Sequence, residues 1–106
     1  GRDQGSVTTI PAVRGGAAEL HVNASCAKGS RIEVELIDSR SGQALPGFSR
    51  EQCNPITSDS LAHRVRWGKR SLADVPNASF QIHFHLAKGH ESPRLYSFEF
   101  RTAIDR

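Results

Sequence analysis

The chain reads as an all-β protein, an antiparallel β-sandwich of jelly-roll-like type, on three observations. Apolar and polar residues alternate strictly through several segments, as where Ile32, Val34 and Leu36 are set against Arg31, Glu33 and Glu35, the period of a half-buried strand. Clusters of Gly, Pro, Asn and Ser punctuate those segments, as turns between strands require. No segment keeps a helical period through three turns. Strands with one apolar face need a second sheet to cover them, and a sandwich is the simplest way to supply it.

The strands follow in order. Residues 7–10 form a short first strand, and residues 18–22 a second with Leu20 and Val22 on one face and Glu19 and His21 on the other. Residues 31–37 are the clearest strand. Asp38-Ser39-Arg40-Ser41-Gly42 supplies turn chemistry, and residues 43–45 return as a short hairpin partner. Residues 42–60, GQALPGFSREQCNPITSDS, make a long, proline-punctuated connection carrying Cys53. Most connections in compact domains span about 4 to 6 residues, so this one is expected to pack on the core, with Phe48 near Trp67. Along residues 61–67, Leu61, His63, Val65 and Trp67 share one face and Arg64 and Arg66 the other. Residues 71–75 suit one helical turn capped by Ser71 and ended by Pro76-Asn77. In residues 80–86, Phe80, Ile82, Phe84 and Leu86 point inward. In residues 94–101, Tyr96, Phe98 and Phe100 point inward against Ser97, Glu99 and Arg101 outward. Cys26 and Cys53 do not fall on opposed inward strand positions, which disfavours an immunoglobulin arrangement and leaves the jelly-roll-like one.

The 106 residues suit a single domain, 1–106, with the polar residues 1–5 (GRDQG) as a linker remnant. At 37% hydrophobic content, and without an apolar run near membrane length, no membrane span is expected. The net charge of +3 comes from arginines and lysines interspersed with glutamates, not from the basic stripe that nucleic acid binding calls for. Two cysteines, Cys26 and Cys53, are an even, minimal count. One disulfide is expected, worth about 3 to 4 kcal/mol by loop entropy, against the alternative of two buried, unpaired thiols. Asn23-Ala24-Ser25 and Asn77-Ala78-Ser79 match the N-glycosylation acceptor pattern in expected turns. With the disulfide they favour an extracellular or periplasmic setting.

The late strands carry the candidate chemistry. If they pair in one sheet, Arg64, Arg66, His83, His85 and Arg101, with Glu99, line a polar face of planar donors suited to sugar hydroxyls or to the carboxylates and sulfates of an acidic polysaccharide. An ordinary solvated sheet face is the plainer alternative. His83 and His85 point the same way and can be combined with His21 as transition-metal ligands only if the second strand lies alongside; no metal is expected. A structural calcium on Asp38, Asp59 and Asp74 is the lesser alternative, since each serves equally well as a turn or cap residue. The aromatics other than Phe48, which a Pro46-Gly47 turn leaves open to partial exposure, fall at inward positions, so no stacking platform is expected. His63 points inward, and there is no nucleophile elbow, carboxylate pair or phosphate loop, so the chain is not expected to be an enzyme.

One set of residues carries a family resemblance: Asp38, Gly42, Leu45-Pro46-Gly47-Phe48-Ser49, Cys53, Pro55-Ile56, Asp59-Ser60, Val65-Arg66-Trp67, Leu72 and Leu95-Tyr96-Ser97-Phe98-Glu99-Phe100. In this succession the chain resembles the β-sandwich domain at the C-terminal end of glycoside-hydrolase-like proteins, where it follows a β-propeller of family 32 or sialidase type. The segment Asp3-Gln4-Gly5-Ser6-Val7 lacks the aromatic of that family's opening strand, and residues 88–93 are longer and more polar than its usual turn. The resemblance implies an accessory domain and carries no ligand with it; joined to the polar face, the expectation is a non-catalytic accessory module of a secreted carbohydrate-active protein, binding glycan through that face or a loop rim. The alternative it leaves is a structural or protein-interaction domain packed against a neighbouring propeller without glycan.

Overall fold

A computed structural model of the chain describes residues 5–13, 17–75, 79–89, 91 and 93–102. Among these residues, six strands form two three-stranded sheets: β1 (Gly5–Val13), β5 (Ser79–Ala87) and β3 (Arg31–Asp38) in that order, and β4 (Ser60–Arg64), β2 (Ala17–Ser25) and β6 (Arg94–Thr102) in that order. Every pairing is antiparallel. Odd-numbered strands make one sheet and even-numbered strands the other, so each connection between consecutive strands passes from sheet to sheet. The all-β sandwich is as expected. Gly5 belongs to β1, not to a linker, while residues 1–4 lie outside the described residues.

The core lies between the sheets and comes from the apolar half of each alternation. Leu20, Val22 and Ala24 of β2, Ile32, Val34 and Leu36 of β3, and Phe80, Ile82 and Phe84 of β5 are all buried in one cluster. Phe98 of β6 packs its ring 5.5 Å from that of Phe84. Burial of this kind, at about 25 cal/mol per Å² of apolar surface, is the main term holding such a sandwich together.

The long connection does more than cover the core: it completes the outer edge of β3. Leu36 N–H donates to the Phe48 carbonyl (3.0 Å) and Leu45 N–H to the Leu36 carbonyl (2.8 Å), while Ile32 and Ile56 exchange two bonds of 2.9 Å. Between them, Val34 N–H donates to Cys53 Sγ at 3.3 Å and the Val34 carbonyl accepts from Trp67 Nε1 at 2.9 Å. A thiol and an indole thus stand where a neighbouring strand would, and the buried backbone groups are satisfied. Leu45-Pro46-Gly47-Phe48 closes the Phe48 N–H onto the Leu45 carbonyl with Gly47 at φ +92°, the type II pattern that needs glycine after proline. Phe48 meets Trp67 edge to face at 5.2 Å. The hairpin return is present: Asp38 N–H bonds the Gln43 carbonyl, and Ala44 bridges Ile37.

Among the described residues there are also two short 3₁₀ turns. Leu72–Asp74 follows Ser71 as its N-cap, as the sequence indicates, and the Asp74 carboxylate reaches back to Ser71 N–H at 3.0 Å. Arg50–Gln52, inside the long connection, is held the same way by Gln52 Oε1 on Ser49 N–H.

The cysteines depart from expectation. Both are buried free thiols. Cys53 accepts from Val34 and donates to the Asn54 carbonyl, whereas Cys26, beyond the end of β2, donates to the Ile56 carbonyl. Each sulfur serves a different backbone group. Burial pushes the Cys53 thiol up to about 11 and raises that of Cys26 as well, and protonated thiols are poor nucleophiles. Alkylation without reductant is therefore expected to be slow on the native protein and to reach two adducts per chain in denaturant; zero adducts by mass would restore the disulfide.

Candidate functional site

The partition into sheets decides which polar residues meet. Arg64 and Arg101 lie on the outer face of the β4-β2-β6 sheet, while His83 and His85 lie on the outer face of the other. The single polar face expected from the late strands is thus split across opposite sides of the molecule, because β5 pairs with β1 and β3. Arg66 is exposed beyond the end of β4, between buried Val65 and Trp67.

On the β4-β2-β6 sheet, charges meet across β2. His21 Nε2 lies 2.7 Å from Glu19 Oε1, and Arg64 reaches Glu19 Oε2 at 3.4 Å. The hydrogen bond from His21, together with the Arg64 charge, holds the Glu19 carboxyl below its ordinary range. Arg101 pairs with Glu99. Arg64 and Arg101, expected to receive an acidic polysaccharide, are thus engaged with carboxylates of their own face. His63 sits opposite Val22, and burial lowers its pKa, in line with its expected inward position.

Beside this ladder the pairing breaks on both sides of β2 at one point. Against β4 the register runs from Val22 with His63 to Ala24 with Ser60, so Leu61 and Ala62 together face Asn23. Against β6 it runs from Asn23 with Ser97 to Ala24 with Leu95, leaving Tyr96 as an extra residue. Two β-bulges therefore flank Asn23, and bulges re-aim side chains. Leu95 turns to the core, and Tyr96, expected inward, stands 58% exposed. Leu61, also expected inward, is 85% exposed.

Between these two side chains runs an open groove of about 390 Å³, lined by Asn23, Ser25, Asp59, Ser60, Leu61 and Tyr96. A smaller hollow of about 80 Å³ continues past Leu61 toward His21 and Arg101. Asp59 is fixed at the groove's end, where its Oδ1 accepts from Cys26 N–H (2.9 Å) and Ser25 Oγ (3.1 Å). Asn23 is half-buried within β2, not in a turn as the acceptor pattern suggested; Asn77 lies outside the described residues.

The aspartates weighed for calcium do not meet. Asp38 Oδ1 caps Arg40 N–H, Asp59 holds Cys26, and Asp74 caps Ser71. His21 is on the opposite sheet from His83 and His85. On the β1-β5-β3 sheet, His85 Nε2 lies 2.9 Å from Glu35 Oε1. Glu33 beside it receives Arg50 at 2.7 Å and Arg31 at 3.2 Å. Burial alone would raise the Glu33 carboxyl, but the hydrogen bond from Arg50 and both arginine charges outweigh it and hold it low.

Bulges leave little trace in a sequence, so the alternation gives no sign of the groove. A tyrosine in a strand whose neighbours alternate cleanly carries no mark of being turned out. Comparison of the chain with family models, with curated proteins and with solved structures finds no match.

Proposed function

We propose that the domain is a non-catalytic, extracellular accessory module that binds glycan in the groove between Leu61 and Tyr96. The observation that carries this reading is the pair of bulges at Asn23, which turn an aromatic ring outward beside amide, hydroxyl and carboxylate groups. A pyranose offers an apolar face to stack on such a ring and hydroxyls for the polar wall. A groove of that size with a few placed polar groups is typical of ligand sites. The resemblance to accessory sandwiches of glycoside-hydrolase-like proteins points the same way and is what supports secretion.

The sugar is neutral or weakly charged in this reading, since Arg64 and Arg101 are paired with Glu19 and Glu99. A glycan array followed by calorimetric titration tests it. Tyr96→Ala is expected to weaken the best ligand about tenfold or more, and Arg66→Ala to leave it unchanged. Absence of binding to every glycan, with the fold intact by circular dichroism, sinks the proposal.

The same exposed apolar pair favours one other reading, in which Leu61 and Tyr96 dock against a neighbouring propeller domain. Binding of that domain lost on Leu61→Ser, without any glycan affinity, would establish it.

A further inference from the structure

We propose that Glu35, His83 and His85 form a binding site for a divalent late transition-metal ion of the zinc, copper or nickel type, with zinc as the probe ion. The site lies on the outer face of the β1-β5-β3 sheet and is independent of the glycan reading.

Strand geometry assembles it. His83 and His85 are two residues apart on β5, so both imidazoles rise from one face, and Glu35 of β3 is the register partner of His83. One ligand atom from each of the three lies within 4.8 Å of the others, and all three residues are half-buried. Tetrahedral zinc, with bonds of about 2.0 to 2.1 Å, needs ligand atoms about 3.3 Å apart. The His85 to Glu35 contact of 2.9 Å already lies near that separation. Closing the rest is within the reach of side-chain rotation at χ1 and χ2.

The chemistry of the set favours a metal over a plain ion pair. One carboxylate needs a single imidazole as partner, whereas here a second ring is held nearby, its centroid 6.2 Å from the first. Two neutral imidazoles and one carboxylate suit zinc, copper or nickel and poorly suit calcium or magnesium, which take oxygen ligands. The surroundings support the carboxylate without competing for it. Arg50 places its guanidinium on Glu33, and its backbone N–H, at 3.4 Å, faces the second oxygen of Glu35. Such outer partners orient metal ligands. Because β5 is the central strand of its sheet, the two histidines stand on the least mobile part of that face. Three protein ligands leave a coordination position open to water or to a donor from a partner.

The test is titration of chelator-treated protein with zinc by calorimetry, with cobalt(II) as a spectroscopic substitute. One ion per chain is expected, with a cobalt spectrum of nitrogen and oxygen ligation. His83→Ala and His85→Ala are each expected to weaken zinc by more than about a hundredfold, and Glu35→Gln by at least about tenfold. His21→Ala, on the opposite sheet, is expected to change nothing. The assignment is overturned by absence of binding at micromolar zinc, by unchanged affinity in the double histidine variant, or by a sulfur-to-cobalt charge-transfer band, which would place the ion on Cys26 or Cys53. Circular dichroism of each variant separates loss of ligand from loss of fold.

Discussion

Replacing Trp67 with alanine is expected to remove about 3 to 5 kcal/mol of stability, a large share of the roughly 5 to 15 kcal/mol that a domain of ordinary stability holds in total. The indole is 1% exposed and belongs to the core cluster. Three separate losses combine there: the apolar volume itself, the edge-to-face contact with Phe48 at 5.2 Å, and the bond from Nε1 to the Val34 carbonyl. Trp67→Phe divides them, since it keeps most of the volume and leaves that carbonyl without its indole donor, at a cost of about 1 to 3 kcal/mol. Urea unfolding followed by circular dichroism checks both values. An alanine variant within 1 kcal/mol of the parent would mean that the indole does not join the long connection to β3.

Gly89→Ala is expected to destabilise by about 3 kcal/mol, the upper part of the range for overpacking. A Cβ placed there would lie 2.4 Å from the carbonyl carbon of Gly29, 2.6 Å from the nitrogen of Ser30 and 2.7 Å from the oxygen of Gly29. All three are backbone atoms, so no side chain can yield. The turn they belong to is itself held, with Ser30 N–H and Oγ both donating to the Ala27 carbonyl at 2.9 and 2.7 Å. Gly29→Ala serves as the comparison. A Cβ there would meet only the Gly89 Cα at 3.6 Å, and its cost, about 1 kcal/mol, comes from the positive φ alone. Equal midpoints for the two variants in a denaturant series would mean that the turns are not in contact.

Much of this architecture is legible in the residues because alternation reports burial directly. In β3 and β5 the apolar positions are the buried ones without exception from Ile32 to Leu36 and from Phe80 to Phe84. The Ser71 cap, the Pro46-Gly47 turn and the meeting of Phe48 with Trp67 likewise follow from local chemistry. Alternation also has two blind spots. It assigns a side chain to a face of its strand, never a strand to a sheet, so Arg64 and Arg101 are separated from His83 and His85 with no sign of it in the pattern. It also assumes a constant period, so one extra residue at Tyr96 and another at Leu61 invert the parity that assigns them inward. The cysteine count suffers similarly: it is the same for a disulfide as for two thiols that each complete a different stretch of backbone.

The groups that finish the outer side of β3 also decide what this sandwich can assemble with. A strand edge with free donors and acceptors is a template on which another chain can extend the sheet, either as a bound peptide or as the first step of aggregation. Here Ile32, Val34, Leu36 and Asp38 already spend their edge-facing groups on Ile56, Cys53, Trp67, Phe48, Leu45 and Gln43. That flank is closed to strand addition by the protein's own sequence.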